Sequence, residues 1–115
     1  MEAELWPPEW QRGLLEFIVL AAVSAEREPT YGYRIVQRLE ASGLGRIKGG
    51  TLYPILARLE VAGFTSSHWG EGEGGPGRKF VTLTEAGKTR LTELEQSWAS
   101  FSYTIGALVA AGVKA

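Results

Sequence analysis

The feature that most constrains this chain lies toward its C-terminal end. Leu91, Leu94, Trp98, Phe101, Ile105 and Leu108 follow one another at steps of 3, 4, 3, 4 and 3 residues. That is the a/d repeat of a coiled-coil seam, sustained over about three heptads. A helix that packs only on its own domain carries a wider apolar stripe. The narrow stripe therefore predicts pairing with a second helix, most simply the same helix of a twin subunit. Thr84 is placed to cap this helix, and Glu85 falls in its first turn, where the helix dipole favours an acid. The final "ALVAAGVKA" is small and contains glycine, so its last turns are expected to fray.

A helix that needs a partner must be attached to something that folds alone. The chain has 115 residues, enough for one domain with a small core. "WPPEW" is a stiff, extended start. A helix is predicted from about Glu9 to Ala25, apolar nearly all round through Leu14, Leu15, Phe17, Ile18, Val19, Leu20 and Val23. Thr30 is expected to cap a second helix over about Tyr31–Ser42, which buries Ile35, Val36 and Leu39 and ends at Gly43 and Gly45. A third helix runs over about Gly50–Ala62 with Leu52, Ile55, Leu56 and Leu59 on one face, and Gly63 stops it. The second and third helices are joined by a glycine-containing turn, as in a helix-turn-helix. "FTSSHW" and "RKFVTL" flank the Gly/Pro run "GEGEGGPG" and read as a β-hairpin.

Catalysis finds little support. The one histidine, His68, lies in a predicted strand with neither a triad nor metal-ligand spacing around it. "GEGEGGPG" is not followed by Gly-Lys-Ser/Thr, so it is no phosphate loop. There are no cysteines, which excludes disulfides and thiolate metal sites and fits a reducing compartment. The opening "MEAELWPPEW" is acidic and lacks the basic stretch of a signal peptide. The apolar run "GLLEFIVLAAV" is too short to span a bilayer. These features predict a cytoplasmic protein that is not an enzyme and uses no metal or cofactor.

Nucleic-acid binding fares better. Net charge is −1, so bulk charge does not drive it. The distribution is polarised, however: residues 1–25 hold four glutamates against Arg12, whereas residues 46–90 hold seven cations against four glutamates. Three helices followed by a hairpin is the winged-helix order. A recognition helix meets the major groove with its N-terminal residues. Here that end offers Lys48, the amides of Gly49 and Gly50, and the hydroxyls of Thr51 and Tyr53, with Pro54, Ala57 and Arg58 on the same outer face. Pro54 is expected in the first turn, where amides lack intrahelical partners. Tyr53 either touches DNA or only packs. Arg78 and Lys79 follow the hairpin tip, where a wing meets the DNA backbone, while Glu71 and Glu73 on its other side would repel phosphate.

In "PTYGYRIVQRLE", "KGGTLYPILARLEVAGF" and "GGPGRKFVTLTEAGKTRL" the chain resembles the signature blocks of the PadR family of bacterial transcriptional regulators, over roughly Leu14 to Leu108. The single short C-terminal helix is similar to that of the smaller PadR subfamily, in which this helix mediates dimerisation. The resemblance implies a homodimer whose two winged helices bind an inverted-repeat operator in double-stranded DNA, usually as a ligand-released repressor. It also implies, from the multidrug-responsive members, that Trp98, with Trp10 and Phe17, faces a flat pore at the dimer interface that takes planar aromatic effectors. The alternative is that Trp98 simply fills a dimer core.

The expected fold is thus mainly α with a small β-hairpin: a winged helix-turn-helix domain over residues 9–83 and a dimerisation helix over 84–112. The expected DNA surface is Tyr31, Lys48, Gly49, Gly50, Thr51, Tyr53 and Arg58, with Arg78 and Lys79 on the wing. The rival is a winged-helix module that binds small molecules or proteins but not DNA.

Overall fold

A computed structural model describes residues 7–27, 29–71 and 77–114. The elements in order are α1 (Pro8–Gly13), α2 (Leu15–Ala25), α3 (Gly32–Ala41), α4 (Gly49–Val61), β1 (Thr65–Gly70), β2 (Arg78–Leu83) and α5 (Glu85–Lys114). This is a winged helix-turn-helix with a long C-terminal helix. The expected wing tip, with Glu73, lies outside the described residues. Among the described residues no helix is long and apolar enough to cross a membrane.

α2 is the central element and packs against α3, α4, α5 and β2. Its Val19, Leu20, Ala22 and Val23 meet Ile35 and Leu39 of α3, Leu52, Ile55 and Leu59 of α4, Ile47, and Val81 of β2 in one buried core. The strands pair antiparallel, with Thr65 opposite Leu83 and Gly70 opposite Arg78. Gly63 closes α4 at φ +85°, a left-handed conformation that a side chain would strain. Gly43 and Gly45, after α3, also have positive φ.

Three local expectations need correcting. The predicted single helix over 9–25 is two helices. Leu14 leaves helical geometry at φ −113°, ψ 9°, just after Gly13. The Gln11 side chain donates a 2.6 Å hydrogen bond to the Leu44 carbonyl, which draws α1 onto the α3–α4 loop. Thr30 does not cap α3; the N-cap is Tyr31, extended and without a side-chain cap bond. Thr30 instead pairs its amide and carbonyl with Val81 at 3.1 and 2.7 Å, adding a rung beside β2. A buried backbone that can complete a sheet does so, because its polar groups need partners. Finally, α5 runs longer than the expected 84–112 and is helical through Lys114.

The start of α5 follows its expected chemistry. Thr84 Oγ1 accepts a 3.0 Å hydrogen bond from the Gly87 amide and donates one of 2.6 Å to the Gly63 carbonyl, so one hydroxyl joins the ends of α4 and α5. Arg90 pairs with Glu16 of α2 at 3.4 Å. Leu91 and Leu94 pack against the core, half-buried. Beyond them the seam leaves the body: Trp98, Phe101, Ile105 and Leu108 are all exposed, Phe101 by 62% and Leu108 by 69%.

Candidate nucleic-acid interface

α4 is amphipathic by position. Leu52, Ile55 and Leu59 are buried and Leu56 half-buried, which turns Thr51, Tyr53, Pro54, Ala57 and Arg58 outward, all exposed. Lys48 is the N-cap, with extended backbone and no side-chain cap bond. Its carbonyl accepts both the Thr51 and Leu52 amides at 2.9 Å. The amides of Gly49 and Gly50, first in the helix, have no acceptor one turn back. They lie exposed beside Lys48, a site suited to an anion.

Pro54 is not in the first turn as expected. α4 begins at Gly49, so Pro54 is inside the helix, in its second turn. It takes away the amide that would bond the Gly50 carbonyl and crowds that carbonyl with its ring. Gly50 is open to solvent, with nothing within 4 Å of where a Cβ would stand, so its carbonyl can be left to water.

Tyr53 both packs and faces outward. A Cβ on Gly32 would come within 2.8 Å of Tyr53 Cζ and Cε1, and one on Gly49 would stand 3.3 Å from the opposite ring edge. The ring lies between the starts of α3 and α4, and a Cβ at position 32 would have to push it aside. It is nevertheless 58% exposed. One residue thus sits against the starts of both helices of the helix-turn-helix, its hydroxylated edge toward Gly32, while much of its surface stays open.

The wing is tied to the same place. Tyr31 meets Phe80 of β2 edge-on, with centroids 5.7 Å apart at 84°, and the Arg78 guanidinium lies 4.3 Å from the Tyr31 ring centroid. His68 stacks on the same Phe80, at 5.7 Å and 22°. This gives His68 a packing role. Lys79 leans toward α4, where Glu60 lies 3.5 Å away; Glu60 also accepts a 2.9 Å hydrogen bond from Ser67. Such an exposed ion pair is worth about 0–1 kcal/mol, so Lys79 can exchange Glu60 for a phosphate at little cost.

Tyr31, Gly32, Tyr33, Tyr53, Trp69, Arg78 and Lys79 line one open groove of about 480 Å³ between the helix-turn-helix and the wing. Tyr33 and Trp69 are absent from the sequence reading. Trp69 is 73% exposed and sits directly opposite Lys79 in the hairpin register. That pairing is the signal that could have found it: a residue facing a candidate cation across two strands shares its face. Lys48, Gly49, Gly50, Thr51 and Arg58 extend this surface along α4. Glu71, exposed, stands at the end of β1. Of the aromatic residues considered for an effector, Trp98 is on the exposed part of α5, Trp10 is exposed on α1 and Phe17 is half-buried on α2.

Residues 19–93 match the family described as transcriptional regulator PadR-like. A PadR family transcriptional regulator from Eggerthella lenta is 37% identical, with 89% of this chain and 87% of that one covered and a TM-score of 0.78. A PadR-like transcriptional regulator from Bacillus cereus is 30% identical over 88% of this chain and 96% of its own, at a TM-score of 0.76. An uncharacterised protein of Lysinibacillus sphaericus is 33% identical over 76% of this chain and 81% of its own length.

Proposed function

The chain belongs to the PadR-like family of transcriptional regulators, and from that premise we propose that it is a ligand-responsive repressor which binds an inverted-repeat operator as a homodimer. The observation that carries this reading is a convergence. Tyr31 at the start of α3, Tyr53 of α4 and the wing cations Arg78 and Lys79 border one open groove, although they come from separate parts of the chain.

In this reading α4 enters the major groove by its N-terminal turns. The Gly49 and Gly50 amides and Lys48 hold a backbone phosphate, Thr51 and Tyr53 reach phosphates or base edges, and Arg58 lies farther along the same face. Arg78 and Lys79 hold the flanking backbone from the wing. Trp69 and Tyr33 add apolar surface beside them. The exposed seam of α5 pairs two subunits, so residues 9–83 act as the DNA-binding unit and α5 as the dimerisation unit. For an inverted repeat read one duplex turn apart, the two α4 helices stand about 34 Å from each other. A planar aromatic effector held near Trp98, with Trp10 and Phe17, would bias that spacing and release the operator.

A gel shift on the protein's own promoter tests the DNA reading. Binding should be tight, should exceed that to random DNA at moderate salt, and should weaken steeply as salt rises. Equal binding to both fragments would leave the family fold serving as an interaction module without operator recognition. Quenching of tryptophan fluorescence by planar aromatic dyes, abolished in Trp98→Ala, tests the effector site. A response that persists in that variant would assign it elsewhere.

A further inference from the structure

A second cleft of about 620 Å³ opens on the other side of Tyr31, lined by residues of the α2–α3 junction, α3 and the wing. Four arginines border it: Arg27, Arg34, Arg38 and Arg78, against Glu26 and Glu71. Its floor is organised by Glu26, whose side chain is only 7% exposed. Arg34 Nε donates to Glu26 Oε1 at 3.0 Å, and Arg38 Nε donates to Oε2. Each guanidinium spends one of its five N–H donors on these bonds. Both arginines stay 42–55% exposed, so donors remain for another acceptor. Arg78 is held too, over the Tyr31 ring.

A surface arginine normally loses side-chain entropy when it binds an anion. Here one buried carboxylate has oriented two guanidiniums in advance, and an aromatic ring has placed a third. Glu26 keeps its charge while doing so: the Arg38 hydrogen bond foremost, then the charges of both arginines, hold its carboxyl below the usual range despite burial. Planar forks with several donors match the oxygens of a phosphate better than a point charge does. The cleft also continues from the DNA-facing groove, since Tyr31 and Arg78 line both.

We propose that the Glu26-oriented arginines Arg34 and Arg38, with Arg27 and Arg78, form a phosphate-binding cleft separate from the recognition helix. The phosphate comes either from the DNA backbone flanking the operator or from a free phosphorylated small molecule. The backbone source rests on the DNA-binding reading; the free source does not.

The test uses the full-length chain with Glu26→Gln, Arg34→Gln and Arg38→Gln combined, which removes the clamp without stranding a buried charge. One arm measures promoter binding against salt. Loss of one or two phosphate contacts lowers the log–log slope by about 0.9 each and weakens random DNA in proportion. The other arm compares thermal melting in pyrophosphate and in chloride at equal ionic strength, without DNA. A reduced slope alone assigns the site to backbone. A pyrophosphate-induced rise in melting temperature that the variant loses, alone, assigns it to a free ligand, and both effects together assign it to either source. An unchanged slope with no pyrophosphate effect overturns the proposal. Should the triple variant melt early, Arg27→Gln on the exposed rim carries the same two arms. A wild-type chain that ignores its promoter fails the operator reading alone and leaves the melting arm to decide.

Discussion

Leu52 and Leu108 are the same side chain on two helices of one small protein. Leu52 is fully buried, while Leu108 is 69% exposed. The contrast extends to their surroundings. In the winged-helix body, α2, α3, α4 and β2 bury their apolar faces against one another. In the outer part of α5, Trp98, Phe101, Ile105, Leu108, Val109 and Val113 stay exposed along one helix. A continuous exposed patch of this kind marks an interaction surface. The body therefore has what it needs to fold as one chain, and the outer part of α5 has stability to gain only from a partner.

Four outcomes would sharpen or break that comparison. Leu52→Ala should cost the most, about 2–5 kcal/mol of unfolding free energy, read from urea denaturation at a fixed protein concentration. If α5 pairs two subunits as proposed, Phe101→Asp should leave the body folded and split the pair, which light scattering would show as a halved mass. If it instead lowers the unfolding midpoint like Leu52→Ala, the outer helix belongs to the body's own core and the contrast fails. Gly32→Ala is intermediate: its Cβ must push the Tyr53 ring aside. We expect promoter affinity to fall about tenfold, some 1.4 kcal/mol, with the dimer intact. Unchanged affinity would mean that the wedge does not position the DNA-facing surface.

The smallest effect concerns acid. Glu26 is held below its ordinary carboxylate pKa, chiefly by the Arg38 hydrogen bond. Its contribution is therefore fully present above the unfolded value, about 4.3, and is lost as pH falls through the lower folded value. The body of Glu26→Gln should lose less stability than wild type on acidification below that range. Urea midpoints at pH 6 and pH 3 would show it; equal losses would mean the clamp adds nothing to folding.

Much of this molecule is legible in the chain. The α4 face, the hairpin, the Thr84 cap and the α5 seam follow from spacing and local chemistry, because each depends on residues a few positions apart. The signature blocks that resemble the PadR family lead to the same fold. What is illegible depends on distant partners. The break at Leu14 reflects Gln11 reaching the Leu44 carbonyl. Thr30 has the chemistry of a cap but meets Val81, fifty-one residues on, and joins a sheet. Pro54 looks like a first-turn proline until Lys48 proves to be the cap. Trp69 and Tyr33 become part of a surface only when the wing lies beside α3.

The sequence by itself determined that α3, α4, α5 and the hairpin form, which faces they bury and that the last helix lacks a complement of its own, since helical and strand periodicity are local properties. Only the tertiary structure decided that Tyr53 wedges into Gly32, that Arg78 rests on Tyr31 and that Glu26 gathers Arg34 and Arg38. Those arrangements depend on how the elements dock, and docking is set by the shape of the whole core rather than by any one stretch of chain.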